Sequence, residues 1–540
     1  MLPSLLLALA AAAPARDTYP RQPVDAEHYR FALTLSDSVD RIEGEARVRL
    51  RVTAAGVTSV FLDLANATPA RSGKGMTVSG VTLGATPLAF RHADDRLTMT
   101  LPAASTLGQV LELTVRYRGI PADGLQIKPT RHGDRAFFSD DWPNKARQWL
   151  PTIDHVGDKA TMEMAVTAPA HYQVISNGRR VEETDMPDAT RRTVWLQSVP
   201  ISPWLYVLGV ARFAVQSLGD YRGIPLETWV FARDRDAGFH DFAVPVKDAM
   251  AFYSEFVGPY AYEKLANVQS TATGGGMEAA TAIMYDQRSV DGTRSLRWRN
   301  VIIHEIAHQW FGNAVTEADW NDVWLSEGFA TYFTSLFIEH AYGRDEFAQV
   351  MRDSRKTIVD FYAKQPDYRV VHENLSDMAQ VTTGMTYQKG AWVLHMLRQR
   401  IGDDRFWAGI RDYYARYMNG TATTTDFRRV MERASGQDLT AFFEQWLYRG
   451  QIPRIEGSWR WDAAAREVVV EMRQVQPGPA FSMELEVAVE GGGATPVVQR
   501  ANVGSAPTQL RLAASERPGA VTLDPMVRTL FTGTLQARPD

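Results

Sequence analysis

Hydrophobic periodicity changes twice along this chain, and those two changes bound its fold more tightly than any other feature. From about Tyr29 to Val215 apolar residues recur every second position, as in Gly44–Val52, Arg96–Leu101 and Val110–Tyr117. Alternation of that kind belongs to strands with one face buried. From about Glu227 the spacing becomes three and four residues, in Val244–Val257, Arg299–Asn313, Val323–Tyr342, Gly390–Ile401, Asp426–Ala434 and Leu439–Leu447, which indicates helices. After Pro453 the short period returns in Ser458–Asp462, Glu467–Arg473, Met483–Val489 and Gln509–Ala513, with Gly491-Gly492-Gly493 marking a turn. The pattern predicts an α+β multidomain protein. Its expected parts are an N-terminal antiparallel β domain over 16–215, a mainly helical domain over 216–450 and a small β-sandwich over 451–540.

Length agrees, since 540 residues exceed what one core supports. A net charge of -5 without a long basic block argues against nucleic acid as a partner. Met1–Ala15, MLPSLLLALAAAAPA, has the apolar run and small-residue end of a cleaved signal peptide, so export to a periplasmic or extracellular space is expected. No later stretch approaches an 18-residue apolar run, so no stable membrane span is expected after cleavage. There are 0 cysteines, which leaves His and carboxylate as the ligands for any transition metal.

Such ligands are arranged in His304-Glu305-Ile306-Ala307-His308. Helical residues four apart emerge from one face, so both imidazoles can reach one ion. Glu305 projects about 100° round the helix, where a carboxylate can take a proton from metal-activated water. The apolar neighbours Val301-Ile302-Ile303 and Ile306-Ala307 bury this helix, and buried His and Glu need partners. Phe311 and Ala314 stand where metzincins carry Gly and His, which excludes that class. Glu327, the one carboxylate inside the apolar segment Trp324–Ala330, is the expected third ligand, whereas Asp319 and Asp322 are expected to be solvated in the connection. Two His and one Glu with an open fourth position describe a catalytic zinc site.

On these residues the sequence resembles the aminopeptidase N-like gluzincins. The resemblance is carried by HEIAHQWFGN (304–313), WLSEGFA (324–330), TYQKGAWVLHML (386–397), FFEQWLYRGQIP (442–453) and ARQWLPTIDHVGDKA (146–160). It implies a β-saddle, a thermolysin-like catalytic domain holding one zinc ion, and a β-sandwich, in a short form without the large helical domain many members add. Gly275-Gly276-Met277-Glu278-Ala279 stands where the family has Gly-x-Met-Glu-Asn. The resemblance implies that Glu278 receives the substrate's free α-amino group and that Gly275, Gly276 and Met277 lie along the peptide. Ala279 lacks the family's amide. Tyr387 matches the tyrosine that donates to the oxyanion, and Glu305 the general base. The implied activity is removal of the N-terminal residue from peptides with a free N-terminus. Three alternatives are an epoxide hydrolase on the same scaffold, which needs a deep apolar tunnel; a non-catalytic binding homologue, which would be expected to lose Glu305 or a ligand; and an endopeptidase, which Glu278 argues against by closing the amino end of the cleft.

Overall fold

A computed structural model of the chain describes residues 19–372, 382–493 and 495–539. The expected signal segment Met1–Ala15 lies outside them. The N-terminal part is β-rich. An eight-stranded sheet runs Arg179–Asp185, Thr190–Ile201, Ala160–Pro169, Val24–Thr34, Ile42–Val52, Val110–Ile120, Gly75–Leu83 and Thr86–Pro87. A four-stranded sheet of Gln173–Ser176, Leu208–Ala211, Arg135–Ser139 and Leu125–Pro129 accompanies it. The sequence-based expectation of an antiparallel domain is corrected at one seam: Val24–Thr34 pairs parallel with Ala160–Pro169, Phe31 opposite Met164. Alternation reports which face is buried, not which way the neighbour runs.

The middle of the chain is less purely helical than its periodicity suggests. It opens on a five-stranded mixed sheet, in the order Phe213–Tyr221, Ile224–Phe231, Leu265–Ser270, Ala282–Asp286 and Gly276–Met277. Leu265–Ser270 and Ala282–Asp286 are buried at every position, so they show no alternation to read. Nine α-helices are found among the described residues, the first two between strands of that sheet: α1 Arg235–Phe242, α2 Val246–Phe256, α3 Leu296–His308, α4 Trp324–Tyr342, α5 Arg344–Tyr362, α6 Gly384–Ile401, α7 Asp403–Tyr417, α8 Thr424–Ser435 and α9 Thr440–Leu447. Helix α6 starts earlier than its apolar stretch because Thr383 and Thr386 form a reciprocal cap. None of these helices is long and apolar enough to cross a membrane.

Two further sheets close the chain. One holds Thr508–Ala513, Glu467–Gln474, Arg454–Asp462 and Thr532–Ala537; the other holds Val497–Val503, Met483–Glu490 and Ala520–Leu523. The N-terminal part and the helices meet through an aromatic cluster. Trp142 packs edge-on against Trp204 at 5.2 Å and against Trp320 at 4.5 Å between ring centroids. Trp204 and Trp320 are buried, so this joint is a piece of core and not a hinge surface.

Candidate metal centre

Helix α3 carries both histidines. Ser295 caps it by accepting from the Trp298 N–H, and Ile302, Ile303, Ile306 and Ala307 bury its inner face. Gly312 then turns the chain at φ +108°, and a methyl there would lie 2.2 Å from Ser326 Oγ. The turn lets Ser326, at the start of α4, reach His308 Nδ1 at 3.0 Å, while the Phe311 carbonyl lies 3.1 Å from the same nitrogen. Nδ1–H is thereby occupied by an acceptor, which leaves His308 Nε2 as the bare nitrogen.

The donors converge. His308 Nε2 lies 3.0 Å from His304 Nε2 and 3.2 Å from Glu327 Oε2, and His304 Nε2 lies 3.4 Å from that same oxygen. Bonds of 2.0–2.1 Å around a tetrahedral ion put neighbouring donors about 3.3–3.4 Å apart. The three side chains fit a zinc ion on that measure, and Glu327 Oε2 is buried with no hydrogen-bond donor. Against its burial, the His308 and His304 rings hold the Glu327 carboxyl down at about 2. Asp322, expected in the solvated connection, is instead buried and accepts from Thr424 Oγ1 at 2.6 Å; Asp319 accepts from the Asn321 N–H in the turn. Polarity misled there because the connection is roofed by α8.

Glu305 faces the edge strand Gly276–Met277. A methyl on Gly276 would meet Glu305 Oε1 at 2.1 Å, so only glycine admits this approach, whereas Gly275 has open space. Burial pushes the Glu305 carboxyl well above its ordinary range, and the Glu278 charge adds to that. Glu278 directly follows that strand. Its Oε1 is buried, lies 3.8 Å from His308 Nε2 and has no hydrogen-bond donor. Burial raises its carboxyl to about 7. Met277 pairs with Met284 and is buried.

Tyr387 reaches the cluster from α6. Its hydroxyl donates to Glu327 Oε1 at 2.7 Å, and its ring lies nearly parallel to His304 at 5.9 Å. Burial keeps the phenol protonated and therefore a donor. Helices α4 and α6 touch at glycines: a methyl on Gly328 would fall 2.9 Å from the Gly390 Cα. The sequence reading did not single out Gln309, Asn313 and Asn177. Gln309 Nε2 and Asn313 Nδ2 both donate to the Glu278 carbonyl, at 3.0 and 2.7 Å. Their signal was two fully buried amides just past the metal helix, a burial that its apolar neighbours foretold.

Comparison with known proteins agrees with this assembly. Residues 242–446 match the Peptidase family M1 domain and residues 25–205 the Peptidase M1 N-terminal domain. The glutamyl aminopeptidase of Mus musculus is 27% identical over 395 residues, 69% of this chain and 41% of that protein. Aminopeptidase A of Gloydius brevicauda is 29% identical over 328 residues, 58% of this chain and 34% of that protein. The chain therefore spans 41% or less of the length of these relatives. Among solved structures, an M1 zinc metallopeptidase from Deinococcus radiodurans superposes with TM-score 0.67 at 23% identity, covering 79% of this chain and 93% of that one. An aminopeptidase A of Legionella pneumophila in complex with aspartic acid gives TM-score 0.80 at 17% identity over 96% of this chain and 60% of that one. The two structures share its fold, and the two matched domains, taken with the relatives, establish that the chain belongs to peptidase family M1.

Proposed function

We propose that this chain is a zinc metallo-aminopeptidase that removes the N-terminal residue from peptides. The observation that carries the reading is the placement of Glu278 Oε1, a buried carboxylate oxygen without a donor, 3.8 Å from the nitrogen of a three-donor metal cluster. An exopeptidase needs one anion at a fixed distance from its metal, and a desolvated carboxylate rejects a neutral blocked terminus.

On this reading His304, His308 and Glu327 hold one zinc ion. When bound, the metal supplies a Lewis acid that polarises the scissile carbonyl and makes water easier to deprotonate. Glu305 accepts the proton from the attacking water and delivers it to the departing amine. Tyr387 gives its hydrogen bond to the developing oxyanion in exchange for Glu327 Oε1. Gly275, Gly276 and Met277 border the peptide backbone, with open space at Gly275 and the Glu305 carboxylate against Gly276. The two β-rich parts take the roles of the family's β-saddle and β-sandwich, with limits near 215 and 450, and the Met1–Ala15 segment directs export.

The test compares free-amine and N-acetylated aminoacyl anilides with and without a strong chelator. Cleavage of the free amine far faster than of the acetylated substrate, lost to chelator and restored by zinc, is the expected result. Equal cleavage of both substrates would make the protein some other zinc hydrolase.

A further inference from the structure

The segment Glu278–Thr281 is held more tightly than a substrate-facing loop requires. Thr281 sits at φ +67°, a left-handed conformation that a β-branched residue rarely adopts without support. The support comes from two directions. On the metal side, the Gln309 side chain bridges the turn: its Nε2 donates to the Glu278 carbonyl at 3.0 Å and its Oε1 accepts from the Thr281 N–H at 3.0 Å. Asn313 Nδ2 adds a second donor to that carbonyl at 2.7 Å. On the N-terminal side, Asn177 Nδ2 donates to the Ala280 carbonyl at 2.7 Å, and the Gly178 N–H donates to Thr281 Oγ1 at 2.7 Å. Asn177 is itself fixed, donating to the Leu205 carbonyl and accepting from the Val207 N–H. Asn177, Thr281, Gln309 and Asn313 are all fully buried.

Gln309 follows His308 directly, so one end of this clasp is rigidly tied to the metal cluster, and its other end is the backbone of Glu278. We propose that Gln309, with Asn313 and Asn177, is a positioning residue that sets the distance from the Glu278 carboxylate to the metal and so restricts cleavage to the first peptide bond. The inference rests on the aminopeptidase reading and adds the element that measures the substrate. It also assigns the N-terminal β-rich part a share in specificity, since Asn177 and Gly178 buttress the turn on which Glu278 is mounted. Ala279, buried beside Glu278, offers no side-chain hydrogen bond to the turn.

A lost buried hydrogen bond that only repositions a charge is worth about tenfold in binding. Gln309→Met, close in shape and unable to make either bond, is therefore expected to raise KM for free-amine anilides about tenfold. The preference for free over acetylated substrate shrinks by a similar factor, while zinc content and the rate on acetylated substrate stay at parent values. On a hexapeptide, mass spectrometry is expected to show dipeptide release beside single residues. Free-amine dipeptide binding to the Glu305→Gln background should weaken equally when Gln309→Met is added. Asn177→Ala, remote from the metal helix, repeats the measurement should Gln309→Met fold poorly, with the same loss of preference expected. Unchanged preference and single-residue release in the folded variant overturn the proposal, as does an equal fall of kcat on both substrates. Glu278→Ala serves as the reference: if it too leaves the preference intact, the amine-anchor reading falls first and this inference falls with it.

Discussion

Gly328 and Gly390 are the contact point of helices α4 and α6, close enough that a methyl on either would lie 2.9 Å from the other's Cα. Glu327 immediately precedes the first and Tyr387 stands one turn before the second, so this contact sets the Tyr387–Glu327 hydrogen bond. Gly328→Ala is expected to force the helices apart and destabilise the protein by about 1–3 kcal/mol. It should also cost activity, because the phenol is withdrawn from the cluster. Gly390→Ala should behave alike, and the double variant should lose less than the sum, since both act on one contact. Denaturant titration of the four proteins checks this; strict additivity would mean that the two glycines do not share a contact.

Glu305→Gln should keep the metal and lose turnover by about 10²–10⁴-fold, because an amide of the same shape cannot accept a proton. Metal analysis beside kcat is the measurement. Metal lost in proportion to activity would make Glu305 a ligand and not a base.

Tyr387→Phe removes a donor and leaves Glu327 Oε1 short of one hydrogen bond. Turnover should fall by about 10²–10³-fold with KM little changed, the pattern of a group needed in the transition state. A rise in KM at constant kcat would show instead that the phenol only binds substrate.

Lys264 makes a prediction far from the metal. Burial lowers its ammonium to about 7, although it donates to the Ser176 carbonyl at 2.7 Å and lies over the Trp195 ring. The unfolded chain holds that proton up to about 10.5, the folded chain only to about 7. Between those values the unfolded state binds more protons, so stability rises with pH across the window, and below it the full cost of the buried charge is present. Lys264→Met should stabilise the protein at pH 7 by an amount on the order of a few kcal/mol and flatten that rise. Lys159 and Lys389, lowered to about 7 by burial as well, maintain the remaining slope. Denaturation between pH 7 and pH 10 tests this, and an unchanged slope in the variant would remove Lys264 from the account.

The metal cluster was legible in the sequence because its geometry is local: helical spacing places His304 beside His308, and a single return of the chain delivers Glu327. Helix existence was legible for the same reason, except for α1, α5 and α7. The central sheet was not, since Leu265–Ser270 and Ala282–Asp286 are buried on both faces and lack the alternation that betrays a strand. The parallel seam beside Val24–Thr34 was hidden because strand direction depends on connections more than one hundred residues long. Asp322 was misjudged because the roof over it comes from Thr424. Side-chain hydrogen bonds across such separations leave no periodic trace, which is why the clasp on Glu278 appears only in three dimensions.

That clasp has a consequence for the order in which the molecule becomes competent. The metal donors lie between residues 304 and 327, so gathering them closes only a short loop, with a small entropic cost. Asn177 and Gly178 reach the Thr281 turn from more than one hundred positions earlier, and only after the β-rich part has docked through Trp142, Trp204 and Trp320. When the full-length chain refolds, the three donors can therefore gather before the clasp closes. On the reading proposed here, exactness is the last property to arrive and the first to be lost when the joint between the two parts loosens.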